Sequence, residues 1–273
     1  MSSLYRRAGT AVIFVVVMIG GIYGGPYSFV LLFGVIAGLS MWEFFSMLLP
    51  GVALRQWVGV AIGLYPYLFT AFFHLQWLGE SSSLGLALLL LVPVFFLLFL
   101  YELFSPSEQP FTNLGYYALG IIYIAVPLTL LQFMAFHNQT FDPNVVFGLL
   151  VMNWMNDTGA YVVGSRFGKT PLFPRISPKK TWEGTIGAII FTVLVGILLY
   201  YLFSSLTLVD WIILALIVAV FGSLGDLVES MLKRSFQLKD SGTLLPGHGG
   251  FLDRFDGFLF LLPFAATYLL LIS

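Results

Sequence analysis

Nine long apolar runs, separated by short polar pieces, make up most of this chain. They cover approximately 8–23, 27–49, 57–75, 84–101, 114–136, 145–164, 184–203, 208–231 and 251–272. Each approaches the roughly 20 residues that an α-helix needs to cross the hydrocarbon of a bilayer. Between them stand pieces rich in Gly, Pro, Ser and Asn, such as Pro50-Gly51, 79–83, 105–113, 137–144, 169–183, Ser204-Ser205 and 235–250, residues that punctuate helices. The pattern predicts an all-α, polytopic integral membrane protein with about nine transmembrane helices. It contains no internal repeat, and an odd number of segments without matched broken helices argues against a duplicated transporter plan.

Composition agrees. The chain is 59% hydrophobic and 9% charged, with a mean hydropathy of +0.96. Soluble domains are roughly 45–50% apolar and about 25% charged. There is no cysteine, so disulfides, thiol chemistry and thiolate zinc sites are excluded. Arg6 and Arg7 precede the first apolar run, which no small-residue cleavage site follows; an uncleaved first span is expected.

Charge distribution supplies a direction. With nine crossings and a cytoplasmic N-terminus, the cytoplasmic pieces are 1–7, 50–56, 102–113, 165–183 and 232–250 with the start of the ninth helix. They hold all twelve basic residues: Arg6, Arg7, Arg55, Arg166, Lys169, Arg175, Lys179, Lys180, Lys233, Arg234, Lys239 and Arg254. The opposite loops hold Glu80, Asp142 and Asp210 and no Lys or Arg, as the positive-inside rule expects. The C-terminus then lies on the far side. Residues 1–144 read as about five spans serving as scaffold or oligomer contact. Residues 145–273, about four spans with cytoplasmic loops, gather the dense polar sequence and read as the catalytic region. His74 and His137 fall near the far interface. Glu43, in the last third of the second run, fits a site residue, a snorkelling acid or a local ion pair equally well.

The polar sequence of the second half falls into three pieces. The first, 153–184, carries Asn156 and Asp157 inside the sixth run, then a loop with glycines, prolines and the adjacent pair Lys179-Lys180. Its GSRFGKT resembles a phosphate-binding P-loop, but Gly164 and Gly168 enclose three residues where that motif needs four, and no strand precedes them. The loop fits either contact with anionic lipid heads or phosphate binding, with Ser177 and Thr181 supplying hydroxyls. The second piece, 222–234, places Asp226, Glu229 and Ser230 at i, i+3, i+4 on one helix face, with Lys233 a turn further on. Lys233 and Arg234 suit a helix C-terminus, whereas a carboxylate gains nothing there. The third, 246–257, reads PGHGGFLDRFDG: tight glycine turns, then a helix start from which Asp253 and Asp256 project together. Three carboxylates converging from two helices repel one another unless a cation sits among them. Oxygen-only ligands favour a hard ion such as Mg²⁺. Basic residues around such a site make sense if polyphosphate bridges the two sets. The residues therefore point to Mg²⁺-assisted phosphoryl or nucleotidyl transfer at the cytoplasmic face, with one substrate held in the bilayer.

The order Ser230, Leu232, Lys233, Arg234, Lys239, Asp240, Gly242, Leu245, Pro246, His248, Gly249, Gly250, Asp253, Arg254 and Asp256 resembles, without a gap, the signature of the phosphatidate cytidylyltransferases, the CDP-diacylglycerol synthases. The run Asn156–Gly184 is similar to the same family. The resemblance is strong from about residue 150 onward and topological before it. It implies conversion of CTP and phosphatidate to CDP-diacylglycerol and pyrophosphate in phospholipid biosynthesis, with Mg²⁺ and room for a second cation. A lipid phosphate monoester, with its second pKa near ~6, is largely dianionic at neutral pH and needs no strong base to attack the α-phosphorus of CTP. Charge neutralisation and in-line positioning are what the reaction needs. On that basis Asp226, Asp253 and Asp256 are expected to bind metal, and Lys233 to act with them at the reacting phosphates. Lys179, Lys180, Arg234, Lys239 and Arg254 are expected on the phosphates of CTP and phosphatidate. Gly249 and Gly250 would present backbone N–H groups to the triphosphate. Asp157, Ser177, Asp240 and His248 would orient substrate.

Two other readings compete with this one. A CTP-dependent polyprenol or phytol kinase would release CDP instead of pyrophosphate. A cation or proton transporter would spread its acids through mid-membrane helices, and here they cluster at one surface. The expected partners are CTP, phosphatidate and membrane lipids, with no nucleic acid and with homodimerisation left open. The expected location is a bacterial inner membrane with the site facing the cytoplasm.

Overall fold

The computed structural model describes residues 2–77, 84–137, 140–242 and 249–272. Glu80, Leu245, Pro246 and His248 lie outside the described residues. Nine helices appear among the described ones, each centred on one of the apolar runs. They are α1 (Ser2–Tyr23), α2 (Pro26–Leu48), α3 (Ala53–His74), α4 (Leu84–Phe104), α5 (Pro110–Ala135), α6 (Asn144–Phe167), α7 (Trp182–Leu202), α8 (Leu208–Ser235) and α9 (Leu252–Ile272). Six of them, α2, α3, α5, α7, α8 and α9, are long and apolar enough to cross a membrane over the described residues. Helix α6 has the length but carries Asn153, Asn156, Asp157 and Arg166. The chain is an all-α integral membrane protein.

Local sequence sets the helix boundaries. Gly25, at φ 115°, makes the turn into α2, and Pro26 takes its first position, where a missing N–H costs nothing. Thr181 caps α7 by accepting from Gly184 N at 3.2 Å. Thr207 and Asp210 close a reciprocal capping box on α8. Helices α5 and α8 each contain one π-helical turn, at Ile121–Ala125 and Val218–Gly222. The second lies immediately before Ser223 and Asp226, and such bulges often accompany functional sites.

The chain divides into two compact units. The first contains Met1–Gln132, Asn138–Phe141 and Ser241–Leu252. Its core is aromatic, with Phe29, Phe33, Phe44, Phe45 and Tyr67 fully buried. Glycines let α3 sit close to α2: a Cβ at Gly59 would lie 2.8 Å from the Phe45 ring. A buried ion pair, Arg55 Nε to Glu102 Oε1 at 3.4 Å, ties α3 to α4, and Asn113 Nδ2 donates to Glu102 Oε2 at 3.1 Å.

The second unit contains Phe133–His137, Asp142–Asp240 and Asp253–Ser273. Helices α6 and α7 touch backbone to backbone, since a Cβ at Gly159 would lie 2.8 Å from Gly187 O and one at Gly164 3.4 Å from Gly184 Cα. An antiparallel hairpin, β1 (Pro171–Phe173) and β2 (Ser177–Thr181), bridges them. The Glu183 carboxylate holds its entrance by accepting from Lys169 N at 3.1 Å and Thr170 N at 3.2 Å. Helices α8 and α9 meet in the same close manner. A Cβ at Gly225 would lie 2.9 Å from Asp256 O, and one at Gly257 2.7 Å from Gly222 O. Phe221 and Phe264 stack at 3.6 Å beyond that crossing.

Candidate active site

The α8–α9 crossing explains why acids from two helices meet. With glycines at 222, 225 and 257 the two backbones are in contact, and Asp226 and Asp256 are the neighbours of two of those glycines. Asp226 and Glu229 both lie within electrostatic reach of Asp256. Asp157 on α6 is exposed and within reach of Asp226, Lys180 and Arg254. Four elements of the second unit, α6, β2, α8 and α9, thus bring charged side chains to one place.

Two lysines are set among the acids. Lys180 Nζ contacts Asp226 Oδ2 at 2.7 Å and donates to Ser223 O at 3.0 Å. Ser223 is held in turn by Asn156, whose Nδ2 donates to its hydroxyl at 3.2 Å. Lys233 Nζ sits between Glu229 Oε2 and Asp253 Oδ1, at 2.6 Å from each. Lys233 is 9% exposed and Glu229 fully buried. Low exposure strengthens each attraction and makes a missing partner expensive. Ser230 Oγ donates to Asp226 Oδ1 at 3.3 Å, one turn along the same face.

The expected site residues divide accordingly. Asp157, Lys180, Asp226, Lys233, Asp253, Arg254 and Asp256 come together. Lys179 neighbours Lys180 on a strand, where successive side chains face opposite ways, and it is exposed. Ser177, at the other end of β2, is half-buried. Arg234 turns back to donate to Leu238 O at 2.9 Å, closing the end of α8. Lys239 and Asp240 are exposed beyond that end. Gly249, at φ 83°, and Gly250 belong to the first unit.

Glu229 was given no role from sequence, and the structure sets it at the centre. The signal was present: it shares the i, i+3, i+4 face with Asp226 and Ser230. Its side chain is fully buried and meets that of Asp256, another carboxyl group. Two such groups side by side call for a shared proton or a cation. No three acidic or histidine side chains among the described residues already form a metal-ready cluster. The donor chemistry, carboxylate oxygens without sulfur or a described imidazole, nevertheless fits a hard divalent ion.

A family model described as the cytidylyltransferase family matches residues 5–272. The chain belongs to the cytidylyltransferase family. A phosphatidate cytidylyltransferase of Bacillus subtilis strain 168 is 33% identical over 277 residues, covering 100% of both chains. The phosphatidate cytidylyltransferase of Staphylococcus haemolyticus is 41% identical over 177 residues, 63% of this chain and 65% of that protein. That of Staphylococcus aureus strain COL is 39% identical over the same shares.

Proposed function

We propose that this chain is a phosphatidate cytidylyltransferase, joining CTP and phosphatidate to give CDP-diacylglycerol and pyrophosphate. The observation that carries the reading is the gathering of Asp157, Lys180, Asp226, Glu229, Lys233, Asp253 and Asp256 from four elements in a chain of this family. Such alternation of acids and ammonium groups suits reactants that are both polyanions. A phosphate oxygen of the lipid attacks the α-phosphorus of CTP. The bond from that phosphorus to the bridging oxygen of the β-phosphate breaks, and pyrophosphate departs with the electron pair. The attacking oxygen is already anionic, so no side chain has to remove a proton.

The chain's own residues supply positioning and charge. Lys180 and Lys233 are the ammonium groups set among the acids, and they are the ones to meet the phosphates. Arg254, exposed on the first turn of α9, is placed to hold a terminal phosphate. Arg234, Lys239 and Lys179 add positive potential at longer range, which favours the approach of anions. Asp226, Asp253 and Asp256 are the residues that would hold Mg²⁺, and the chemistry it would supply is neutralisation of charge on the transferring phosphate. Asn156 keeps Ser223 and through it Lys180 in place. Gly249, Gly250, His248, Asp157, Ser177 and Asp240 are assigned to holding CTP or the lipid headgroup.

The lipid substrate requires a site at the membrane surface. Nine crossings with a cytoplasmic N-terminus put the cluster at the cytoplasmic leaflet, where CTP is available, and the C-terminus on the far side. A bacterial inner membrane is the setting. The test is direct. Purified chain with CTP and phosphatidate should release pyrophosphate and form CDP-diacylglycerol, and excess EDTA should abolish both. Asp256→Asn should lose most turnover while remaining folded. Full activity of that variant would overturn the assignment, and CDP in place of pyrophosphate would overturn the reaction.

A further inference from the structure

Glu43 stands on α2, far in sequence from the charged cluster, and is 3% exposed. A carboxylate at that depth needs donors. It takes them from the other end of the chain, within the first unit. Ser241 Oγ donates to Glu43 Oε2 at 3.0 Å, and the backbone N–H of Leu252 donates to the same oxygen at 2.9 Å. Leu252 is the first residue of α9, so its amide is one of the N-terminal N–H groups that the helix itself leaves without a partner. The carboxylate also meets the positive end of the helix dipole.

Two glycines complete the cradle. A Cβ at Gly242 would lie 2.6 Å from Glu43 Oε1, and a Cβ at Gly250 would overlap Glu43 Oε2 and Ser241 Oγ. The described parts of the segment, on either side of residues 243–248, are therefore folded against one side chain. A Cβ at 242 or 250 would displace the Glu43 carboxylate from this cradle.

We propose that Glu43 is a positioning residue for cytidylyl transfer: it fixes both described ends of segment 241–252 and the first turn of α9, and through that turn the attitude of Asp253 and Asp256. The inference rests on the function proposed above. Asp253 follows Leu252 directly, and Asp256 stands four residues on, about 6 Å along the axis at about 1.5 Å per residue. A slip or rotation of the helix start passes to both acids through the backbone.

Two variants of the full chain test this, Glu43→Leu, which fills the volume without an acceptor, and Glu43→Gln, which keeps an oxygen to accept from Leu252. Hydrogen exchange of the peptide over 249–256 reports the clamp, and CTP-dependent kinetics report the chemistry. The Leu variant should remain folded, exchange that peptide at least about tenfold faster, and lose at least about tenfold in kcat with KM for CTP changed by less than about threefold. The Gln variant should recover part of both. If the Leu variant does not fold, the Gln variant carries the test with the same paired readouts. Faster exchange with wild-type kcat would reduce Glu43 to a structural clamp and overturn the proposal. So would a fall in kcat without change in exchange. A wild-type protein that makes no CDP-diacylglycerol would refute the function itself and the positioning role with it. An active wild type beside a fully active Leu variant would refute the role of Glu43 alone.

Discussion

Lys233→Met is the most informative single perturbation of the cluster. The substitution keeps most of the stem and removes the ammonium group. In the folded protein that group lies 2.6 Å from a carboxylate oxygen of Glu229 and 2.6 Å from one of Asp253. At an effective dielectric constant of about 20, each contact represents an attraction of about 6 kcal/mol before desolvation is subtracted. The desolvation of all three groups offsets much of this, so the pairs themselves are worth far less. Removing only the cation is different, because Glu229 and Asp253 are then left facing each other with little solvent. Breaking a buried pair in this way costs about 3–5 kcal/mol. For a chain of this size roughly 2–4 °C of melting temperature is lost per kcal/mol, so Tm should fall by about 6–20 °C. The assay is thermal unfolding in detergent followed by tryptophan fluorescence, for which the chain has six tryptophans. A second variant isolates the cause. Glu229→Gln added to Lys233→Met removes one stranded anion and should restore part of the loss, with a coupling of about 0.5–3 kcal/mol in the double-mutant cycle. A single variant melting within about 2 °C of wild type, or a double variant whose loss relative to wild type equals the sum of the two single losses, would refute the reasoning, since a buried charge without its partner cannot be neutral.

Two further outcomes follow from the same geometry. Lys180→Ala, which removes the group bonded to Asp226 and Ser223, should lower kcat/KM for CTP by about 10²-fold, the loss typical of one fixed donor at a reacting phosphate, whereas Lys179→Ala on the opposite side of the strand should cost less than about fivefold; equal losses would show that β2 presents both lysines to substrate. Gly257→Ala should destabilise by about 1–3 kcal/mol, read as a lower Tm, because its Cβ would be forced to within 2.7 Å of Gly222 O; an unchanged Tm would mean that α8 and α9 are not in backbone contact there.

The sequence made the helices legible because membrane crossing imposes one length and one composition on each, and nine runs stand where nine helices of the described residues lie. It made the acids legible because a charge in an apolar chain stands out. Asp226, Asp253 and Asp256 stand out by spacing, and the structure brings Asp226 within electrostatic reach of Asp256 and binds Asp253 to Lys233. The limit of the sequence was pairing. Nothing in the spacing told which lysine would face which acid. Lys179 and Lys180 read as equivalent neighbours, yet β2 turns only Lys180 toward Asp226. Glu229 read as a helix-face acid of no stated purpose because its burial depends on α9, which follows a loop. Glu43 was least legible. Its donors come from residues 241 and 252, and no local pattern joins positions so far apart. Asn156 was noticed only beside Asp157, since its task of holding Ser223 depends on how α6 packs with α8.

The pairing itself carries a functional argument. Charges near the apolar part of a membrane protein are tolerated when each has a partner, and the cluster meets that requirement internally: Lys180 with Asp226, Lys233 with Glu229 and Asp253. Substrate phosphates bring negative charge that the acids alone would repel and that lysines locked to acids could answer only in part. On the function proposed above, an incoming CTP competes for the ammonium groups, and the acids left behind then need positive charge of their own. The carboxyl pair Glu229–Asp256, whose side chains meet each other, marks the place where that need already exists. A site of this kind gains affinity for a polyanion and for a divalent cation together and little for either alone. Measured as the apparent Kd for CTP against Mg²⁺ concentration, the two should show mutual dependence, because by linkage each must strengthen the other by the same factor.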